Sequence, residues 1–570
     1  MVQKNNKNTL LILILFTFSF LSILWMLTVS NSFTFDDFTT LCNARFKTFN
    51  ELFSFLPSKS YNDRPIGLMF IKVLNILFGL NYQSYHIVFG IVHFINIILV
   101  YKISKLVFDG VDEKLKIYFS VIAAAVFGIY PASLMTVSWI SAVYDILCCL
   151  FTLLSLYFYL KSRINLDYCN FYALISIICF YFSIRTKEMS LTLPLIILVY
   201  ELWKSLDEKK RIKLRWYLFF QLFMMVFFVL RLYLSGVKNV TPDNPYYQSF
   251  NIFSLFKNAI RYMFLYFDWG NSGFTFTDFS YGALFGVGVF GIIVIFSLYK
   301  AIKRRDFSIL LSIISIGISI TVVLTMVNMQ HRLYLYIPSV FIGLTVAIVL
   351  YKVMSYFQFK YLWEFIIIFI LCLYLVNYTP GMVGYKVNWL NYCSQDANSL
   401  KQIEKLQAPV DDTNVYVKGA LEGYNIFFYG PGNSLKLMFD NQSINTILVD
   451  EFPDNPEQPY IFLDNSNNSI TEVKRDMTPK ALVINSIYPS QIDSETTYNK
   501  DGSLNIGVVC NIASENLKIL INGEEMNTSI GKDFISTVIP KQLLKVKKIE
   551  VMVKDSKTNS ISNKMIIDNN

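Results

Sequence analysis

Two adjacent carboxylates, Asp36 and Asp37, stand in the aromatic stretch Phe33-Thr-Phe-Asp-Asp-Phe. Carboxylates among aromatic side chains at a membrane surface are costly to desolvate, and two like charges side by side raise the pKa of one of them. A carboxyl group with a raised pKa suits a general base. The pair is therefore a candidate catalytic site, against the alternative of a solvated loop that caps a helix.

Basic residues accompany acids or aromatics in several other short stretches, namely Asn62-Asp-Arg-Pro65, Arg185-Thr-Lys-Glu188 and His331-Arg-Leu-Tyr334, and Arg231 ends an apolar run. Arginine presents a planar fork of donors that fits a phosphate group. The alternatives are interfacial anchoring, pairing of Lys187 with Glu188, and snorkelling of the arginines to the membrane surface. The candidate binding residues from these stretches are Asp63, Arg64, Lys187, Glu188, Arg231, His331 and Arg332.

A further acid, Asp145, follows Ser138-Trp-Ile-Ser-Ala-Val-Tyr144 and lies about one turn into an apolar segment. An ionisable residue within a spanning helix is a functional candidate by default. The alternative is a charge that the helix dipole favours at a helix N-terminus. Asp145 joins the candidate substrate-binding residues.

The composition indicates that apolar segments separated by short basic loops position these side chains. The 570 residues are 54% hydrophobic and only 16% charged, whereas soluble domains carry about 25% charged residues. The net charge of +9 comes from short loops between apolar runs, which is a topology signal rather than a sign of nucleic-acid binding. The eight cysteines and three histidines fit no metal motif and no disulfide framework.

The apolar runs predict an α-helical, polytopic membrane protein, because a spanning helix needs about 17 to 25 mostly apolar residues. We predict eleven spans, at about residues 9–29, 84–108, 117–137, 142–160, 170–184, 189–204, 216–236, 280–299, 307–328, 334–352 and 361–378. The first is interpreted as an uncleaved helix rather than a signal peptide, since no small-x-small cleavage site follows it.

Lysine and arginine are concentrated in alternate connections, which places the N-terminus inside and the C-terminal region outside. Both long outer loops contain a candidate helix lying along the membrane surface, at about residues 64–79 and 250–267. With this orientation, all the acidic and basic candidates fall on the outer side. Acidic side chains there would activate an acceptor, and basic side chains would hold a lipid phosphate. Glycosyl transfer from a lipid-linked donor requires this combination.

Three domains are predicted: a membrane domain at 1–380, an extracytoplasmic α/β linker domain at 381–475 and a β-sandwich at 476–570. The linker domain mixes a polar helical start at Asn398–Leu406 with strands at 414–418 and 446–449. The last region has about seven short strands, five of them at 481–487, 504–509, 517–521, 535–539 and 549–553. Asn522-Gly523 between two of them is a strong hairpin signal. This region also resembles an immunoglobulin-like domain.

Residues 33 to about 340 resemble the GT-C superfamily of membrane glycosyltransferases, with the greatest likeness to dolichyl-phosphate-mannose protein mannosyltransferases and their bacterial relatives. Stretches in matching order are Phe35-Asp-Asp-Phe, Asn62-Asp-Arg-Pro-Ile-Gly-Leu, Tyr130-Pro-Ala, Val137-Ser-Trp-Ile-Ser, Lys187-Glu-Met-Ser-Leu-Thr-Leu-Pro and Arg332-Leu-Tyr-Leu-Tyr-Ile-Pro-Ser. The first acidic motif departs from the family in having Asp-Asp rather than Asp-Glu. The C-terminal region shows neither tetratricopeptide nor β-trefoil repeats, which leaves the acceptor open.

The resemblance implies roles for the candidates. Asp36, with Asp37 beside it, would take the proton from the acceptor hydroxyl, and Asp145 would hold sugar or acceptor. Lys187 and Arg332 would bind the donor phosphate. His331, Arg64 and Arg231 would assist them. The implied chemistry is direct displacement with inversion, and polyprenyl phosphate leaves.

The expected partners are therefore a polyprenyl-phosphate sugar, an acceptor protein, lipid or glycan, and the bilayer, with no nucleic acid. No cofactor is required by the motifs, although acidic oxygens such as those of Asp36 and Asp63 leave a divalent cation, Mg²⁺ or Mn²⁺, open. Alternatives are a lipid-linked glycan ligase or polymerase, a transporter or flippase, and a membrane-anchored binding protein. The high Asn, Lys and Ile usage favours a bacterial plasma membrane and undecaprenyl phosphate.

Overall fold

The computed structural model describes residues 32–56, 63–209, 215–235, 247–267, 281–357, 362–420, 432–454, 456–466, 469–474, 482–512, 514–557 and 559–569, with a few single residues between these ranges. The chain forms two compact units, Met1–Val473 and Lys474–Asn570. The predicted first span at 9–29 and Asn62 lie outside the described residues.

The first unit is mainly helical. Its helices are α1 (Asp37–Phe46), α2 (Phe49–Leu52), α3 (Pro65–Phe78), α4 (Tyr82–Val107), α5 (Glu113–Gly128), α6 (Pro131–Ser138), α7 (Val143–Ile164), α8 (Cys169–Ile184), α9 (Leu193–Glu208), α10 (Trp216–Ser235), α11 (Ile252–Phe267), α12 (Tyr281–Arg304), α13 (Ser308–Leu324), α14 (Tyr336–Phe357) and α15 (Leu362–Ile403). Short 3₁₀ turns at Ile140–Ala142, Glu188–Thr192 and Arg332–Leu335 lead into α7, α9 and α14.

Local signals explain where several helices begin. Pro65 occupies the first turn of α3, where its missing N–H costs nothing. The Asn81 side chain accepts a hydrogen bond from the Ser84 N–H and caps α4. Asp112 caps α5 in the same way, by accepting from the N–H groups of Lys114 and Leu115. Helices form at both positions predicted for surface helices, as α3 and α11, and their place along the membrane surface stays a prediction.

Six helices in the described part of the chain are long and apolar enough to cross a membrane, and a seventh span results if the bent pair of α5 and α6 counts as one. The bend between those two helices is 59°. The helices α8 and α13 are apolar but shorter, and α15 contains the predicted last span. The helical membrane architecture is thus confirmed. The predicted count of eleven is not.

Several polar side chains inside the bundle form hydrogen bonds between its helices. His93 Nδ1 lies 2.8 Å from the Tyr336 hydroxyl, and the Asn96 amide donates to the Ile146 carbonyl at 3.2 Å. Gly343 of α14 faces the Ala123 carbonyl of α5 so closely that a Cβ would not fit. These contacts hold α4, α5, α7 and α14 together as the core that carries the site.

The helix α15 runs for 42 residues without interruption, and the predicted domain boundary at 380/381 falls inside it. The predicted helical start at Asn398–Leu406 is the end of this helix rather than a separate element. Beyond it lies a small sheet in the order β2-β1-β3-β4, formed by β1 (Asn414–Lys418), β2 (Asn445–Val449), β3 (Tyr460–Asp464) and β4 (Thr471–Glu472), with α16 (Asn433–Phe439) between β1 and β2. Strand β1 pairs in parallel with β2 and β3.

The second unit is a sandwich of two sheets that share one apolar core. One sheet has the order β10-β11-β7-β5 and the other β6-β13-β12-β8-β9. The strands are β5 (Ile484–Tyr488), β6 (Gln491–Ile492), β7 (Leu504–Cys510), β8 (Leu517–Ile521), β9 (Glu524–Glu525), β10 (Ser529–Ile530), β11 (Ile535–Ile539), β12 (Lys548–Asp555) and β13 (Met565–Asn569). Asn522 and Gly523 form the predicted hairpin turn, both with positive φ.

Candidate active site

The acidic pair lies where the chain enters α1, and the two carboxylates have different surroundings. Asp37 is 1% exposed and its oxygens accept two backbone hydrogen bonds, from the Thr34 N–H at 3.1 Å and from the Ser141 N–H at 2.7 Å. Asp36 precedes the helix and is exposed. In the part of the chain that the structure describes, Asp36 has no side-chain hydrogen bond. The buried carboxylate therefore fixes the loop, and the exposed one is available to a substrate.

The backbone directly before the acidic pair is strained. Phe35 has a φ of 53°, in the left-handed region that residues with a Cβ rarely adopt. Its ring packs against Tyr392 and Trp389 of α15, at centroid distances of 5.2 and 5.7 Å. Strained residues that their surroundings over-determine cluster at functional sites, and this one turns the chain so that Asp36 and Asp37 point to different environments.

Both carboxyl groups hold their protons more tightly than usual. Burial raises the pKa of Asp37 to about 7, against the lowering effect of its hydrogen bonds with Thr34 and Ser141, and the charge of Asp36 adds a smaller upward shift. Partial loss of solvation raises the pKa of Asp36 as well. A carboxylate whose pKa lies nearer to neutral is a stronger base than an ordinary one.

A buried ion pair joins the start of α7 to the turn before α9. The Lys187 ammonium donates to both Asp145 oxygens, at 2.7 and 2.8 Å, and both side chains are 4% exposed. The same ammonium lies 4.9 Å from the centre of the Tyr334 ring. Lys187 does not pair with its neighbour Glu188, the alternative that the sequence left open.

A second pair uses the neighbouring acid. Arg64 donates through Nε and Nη2 to the two Glu188 oxygens, at 3.2 and 2.7 Å. Its guanidinium also lies over the Tyr144 ring at 5.4 Å. Consecutive residues 187 and 188 thus bind partners from α7 and from the N-terminus of α3, which ties three distant segments together.

A third pair, between Arg185 and Asp63, lies on the far side of the same turn. Arg185 is 1% exposed and its Nη2 donates to Asp63 Oδ2 at 3.0 Å and to the Ser54 hydroxyl at 2.7 Å. The Ser54 hydroxyl donates in turn to Asp63 at 2.9 Å. Asp63 is therefore a structural partner of Arg185, and the sequence had drawn attention to both.

His331 and Arg332 stand at the start of the turn into α14, and both are buried. The Leu333 N–H donates to His331 Nδ1 at 3.2 Å, so the ring proton belongs on Nε2. Burial, with the positive charges of Lys187 and Arg332, lowers the pKa of His331 to about 3. His331 is thus a neutral donor beside two cations.

Aromatic rings connect the basic cluster to the acidic loop. His331 lies 5.9 Å from Tyr334 and 6.3 Å from Trp139, and Trp139 lies 6.2 Å from Trp389. Trp389 is the ring against which Phe35 packs. The acids near residue 36 and the cations near residues 187 and 332 therefore border one continuous aromatic surface.

The C-terminal part of the first unit also supports the acidic loop. The Thr34 hydroxyl donates to Asp396 of α15 at 2.6 Å, and both residues are buried. The Asn433 amide of α16 donates to the Thr39 hydroxyl at 3.0 Å, and Arg45 of α1 pairs with Asp440 at 2.7 Å. Helix α1 thus sits between the membrane helices and the elements that come after them in the chain.

The structure groups most of the predicted site residues. Asp36, Asp37, Asp63, Arg64, Asp145, Lys187, Glu188, His331 and Arg332 lie at one end of the helix bundle. Arg231 lies near the end of α10 with its side chain exposed, and the three ion pairs of this site do not include it. Whether Arg231 binds substrate stays a prediction.

Several residues that build the site were not singled out from the sequence, namely Thr34, Ser141, Trp389 and Asp396. Ser141 acts through its backbone N–H and Thr34 through both its N–H and its hydroxyl, and neither role leaves a compositional trace. Asp396 stands in an ordinary polar stretch, Ser394-Gln-Asp-Ala-Asn. Trp389, a large aromatic residue in the polar second half of α15, was the one residue of these four that its sequence context could have singled out.

No group of three or more His, Cys, Asp or Glu side chains in the described ranges is arranged to hold a metal ion. Of the acids that could supply oxygen ligands, Asp63 and Glu188 are bound to arginines, and Asp37 accepts from two backbone N–H groups. These residues do not fit a cation site as they stand, because protein donors already occupy their oxygens.

Comparison with known proteins gives partial structural likenesses. ArnT from Cupriavidus metallidurans bound to undecaprenyl phosphate matches with 15% identity and a TM-score of 0.44, over 80% of this chain and 92% of that chain. The apo Archaeoglobus fulgidus oligosaccharyltransferase matches with 13% identity and a TM-score of 0.47, over 76% of this chain and 64% of that chain. The structure of the same oligosaccharyltransferase tethered to an acceptor peptide matches with 13% identity and a TM-score of 0.44, over 75% of this chain and 63% of that chain. No protein-family model and no curated protein matches the sequence.

Proposed function

We propose that this protein is a membrane glycosyltransferase that moves a sugar from a polyprenyl-phosphate donor to an acceptor hydroxyl on the outer face of the membrane. The observation that carries the proposal is the split acidic pair. Asp37 is held by two backbone N–H groups, and Asp36 is left exposed at the same end of the helix bundle as the buried cations. The sequence resemblance to GT-C enzymes supplies the class of donor.

Asp36 is the proposed general base. It accepts the proton from the acceptor hydroxyl, whose oxygen then forms a bond to the anomeric carbon of the donor sugar. The bond from that carbon to the phosphate oxygen breaks, and the electron pair leaves with the polyprenyl phosphate. Asp37 does not touch the reacting atoms in this proposal. It positions Asp36 by fixing the loop between Thr34 and α1.

Arg332, Lys187 and His331 are proposed to stabilise the leaving phosphate. Charge-assisted hydrogen bonds to a phosphate in a buried site are strong because little water competes with them. Lys187 is already bound to Asp145, so a phosphate would share this ammonium with the carboxylate. Asp145 is thus proposed to hold Lys187 in place. Arg64 has the corresponding relation to Glu188.

The exposed position of Asp36 is compatible with a protein, a lipid or a glycan as the acceptor. The proposed setting is a bacterial plasma membrane with undecaprenyl phosphate as the carrier and the N-terminus inside. A lipid-linked glycan ligase would use the same arrangement of base and phosphate-binding cations.

The test is sugar release by the full-length protein in nanodiscs, with a panel of polyprenyl-phosphate monosaccharides. Wild type is compared with Asp36→Asn and with Asp109→Asn. Asp109 is an exposed acid in the loop between α4 and α5, paired at 3.7 Å with Lys116, and it serves as the matched control. We expect Asp36→Asn to lower turnover about 10²- to 10⁴-fold, the usual contribution of a general base.

Donor affinity in Asp36→Asn should stay near the wild-type value, because the base does not contact the phosphate. Normal turnover in Asp36→Asn would remove this residue as the base. If no monosaccharide donor is bound or consumed by wild type, the proposal of a monosaccharide donor fails, and lipid-linked oligosaccharides become the donors to assay.

A further inference from the structure

A crevice lies at the opposite end of the helix bundle from the acidic loop. It is an open cleft between α4, α7, α9, α13 and α14, with a cavity volume of about 60 Å³. Apart from Ser312 and Ser315, its lining side chains are all aliphatic or aromatic. Ile103, Leu160 and Leu344 are among its buried wall residues.

The crevice is separate from the proposed active site. On α7, the site uses Asp145 in the first turn, whereas the crevice uses Leu160 in the last turns. The nearest lining residue on this helix, Leu156, lies eleven residues beyond Asp145, and a rise of about 1.5 Å per residue gives about 16 Å along the helix. The crevice therefore contacts none of the residues assigned to the acceptor or the phosphate.

Cations lie on aromatic rings around the mouth of this crevice. The lining residues Tyr200 and Trp203 each have a cation over the ring: Arg163 at 5.5 Å and Lys204 at 5.7 Å. One turn from the lining residue Leu160, Tyr157 lies under two lysines, Lys102 at 6.0 Å and Lys161 at 5.8 Å.

These four cations outnumber the nearby acids. Among the described residues, Glu201 is the only carboxylate within 4 Å of any of them, and it pairs with Arg163 at 3.3 Å. Glu201 is 1% exposed and also accepts from the Tyr159 hydroxyl at 2.7 Å. Lys102, Lys161 and Lys204 thus lie on aromatic rings rather than in ion pairs with described carboxylates, and the acids Asp109 and Glu208 lie farther off, near Tyr200 and Glu201.

We propose that the crevice is a binding site for an anionic phospholipid, with an acyl chain between the helices and the headgroup phosphate at the lysines. An apolar slot gives no reason to prefer one lipid over another. Basic residues and aromatic rings at its mouth do, because such residues stand at the level of the headgroups and attract anionic lipids. The site is independent of the catalytic proposal, since it shares no residue with it.

The test measures lipid binding to the full-length, delipidated protein by native mass spectrometry. The probes are phosphatidylglycerol and phosphatidylcholine with identical acyl chains, so that only the headgroup charge differs. Each basic residue near a headgroup contributes about fivefold in affinity. We therefore expect at least about fivefold tighter binding of phosphatidylglycerol by wild type.

Two variants separate the headgroup from the chain. Lys161→Gln/Lys204→Gln should abolish most of the preference for phosphatidylglycerol. The control is Lys303→Gln/Arg305→Gln, in which Lys303 lies in the last turn of α12 and Arg305 just after it, and it should keep the preference. Ser312→Trp fills the crevice and should remove one bound lipid. Thr321→Trp, on the exposed side of the same helix, is its control.

Equal binding of the two lipids by wild type would overturn the proposal, as would equal lipid numbers in Ser312→Trp and Thr321→Trp. Undecaprenyl phosphate provides a third arm. If it displaces phosphatidylglycerol and Ser312→Trp abolishes that competition, the crevice belongs to a polyprenyl chain and the phospholipid proposal is wrong. Sugar release, measured separately, stays a test of catalysis alone.

Discussion

The two ends of the helix bundle treat their charges in opposite ways. At the end with the acidic loop, Lys187 and Asp145 are both 4% exposed and paired, and Arg185 is 1% exposed and paired. At the other end, several cations lie on aromatic rings, and the buried Glu201 is held by a tyrosine and an arginine. The first end joins segments far apart in sequence, whereas the contacts of Glu201 at the second end join α9 to α7.

This difference shows what the buried pairs cost and provide. Desolvating both partners is expensive, and a hydrophobic replacement of a buried pair is often as stable. The pairs at the acidic end therefore have no clear justification in stability. They hold charged groups in fixed positions where water does not screen them, which is the condition for stabilising charge in a transition state. The other end has the solvated cations of a membrane surface.

The largest expected effect is on the pair at the acidic end. Lys187→Met leaves the Asp145 carboxylate buried without its cation, so we expect a loss of about 3 to 5 kcal/mol in unfolding free energy. Arg163→Met at the other end should cost less, because Glu201 keeps the Tyr159 hydroxyl as a donor. Denaturant unfolding of each variant in detergent measures both losses. Equal losses would contradict the distinction between the two ends.

A double replacement separates stability from function at that same pair. Lys187→Met/Asp145→Leu removes both charges and should recover most of the lost stability. Its donor affinity should nevertheless stay below that of wild type, because the donor phosphate then lacks the Lys187 ammonium. Full recovery of donor affinity in the double variant would show that the pair has no role in substrate binding.

The next effect in size concerns the phosphate. Arg332→Ala should weaken donor binding about tenfold to a hundredfold, because a hydrogen bond to a charged group contributes about 1.5 to 3 kcal/mol. Arg231→Ala is the comparison, since Arg231 is an exposed arginine near the end of α10. Equilibrium binding of a polyprenyl-phosphate sugar measures both. An unchanged affinity in Arg332→Ala would remove its proposed role, and a large loss in Arg231→Ala would bring that residue into the site.

A smaller effect is expected from the support behind the acidic loop. Thr34→Val keeps the shape of the side chain but removes the hydroxyl that donates to Asp396 at 2.6 Å. We expect turnover to fall about tenfold, or about 1.4 kcal/mol, with donor affinity unchanged. Thr34→Ser keeps the donor and should retain most of the activity. Similar turnover in Thr34→Val and Thr34→Ser would rule out positioning through Asp396.

The smallest effect, taken over a single pH unit near neutrality, is a pH dependence of stability. The pKa of Asp37 is raised to about 7 in the folded protein by burial, whereas an unfolded aspartate has a pKa near its usual 3.8. The folded state therefore binds more protons between about pH 4 and 7, and this contribution to stability is lost as pH rises through 7. The slope is at most about 1.4 kcal/mol per pH unit. Thermal unfolding at several pH values should show a flatter profile in Asp37→Asn, and an identical slope would contradict the shift.

Apolar run lengths predicted several of the long helices but not the number of spans that the structure supports. The segments predicted at 84–108, 142–160 and 216–236 correspond to α4, α7 and α10, because bilayer thickness imposes a length that the sequence must display. The hairpin at Asn522-Gly523 was equally predictable, since few residue pairs adopt positive φ twice. The break between α5 and α6 was not predicted, because Pro131 was included in a single apolar run.

The sequence singled out residues that the structure brings together, but it did not predict which of them form pairs. The sequence identified Lys187, Asp145, Glu188 and Arg64, yet not which acid meets which base, because partners 42 and 124 residues apart meet only in the folded bundle. Adjacent Asp36 and Asp37 were indistinguishable in sequence. One positive φ at Phe35 separates them, and a conformation of that kind has no sequence signature in a non-glycine residue.

The unbroken helix α15 has a consequence for how the two parts of the first unit evolve together. It spans 42 residues, or about 63 Å, and carries Trp389 and Asp396 to the acidic loop on one face. A single inserted residue in its first half would rotate that face by about 100° and advance it by about 1.5 Å, turning both side chains away. We expect length changes here to be tolerated only near multiples of a helical turn, so the phase of one helix restricts which insertions this protein can accept.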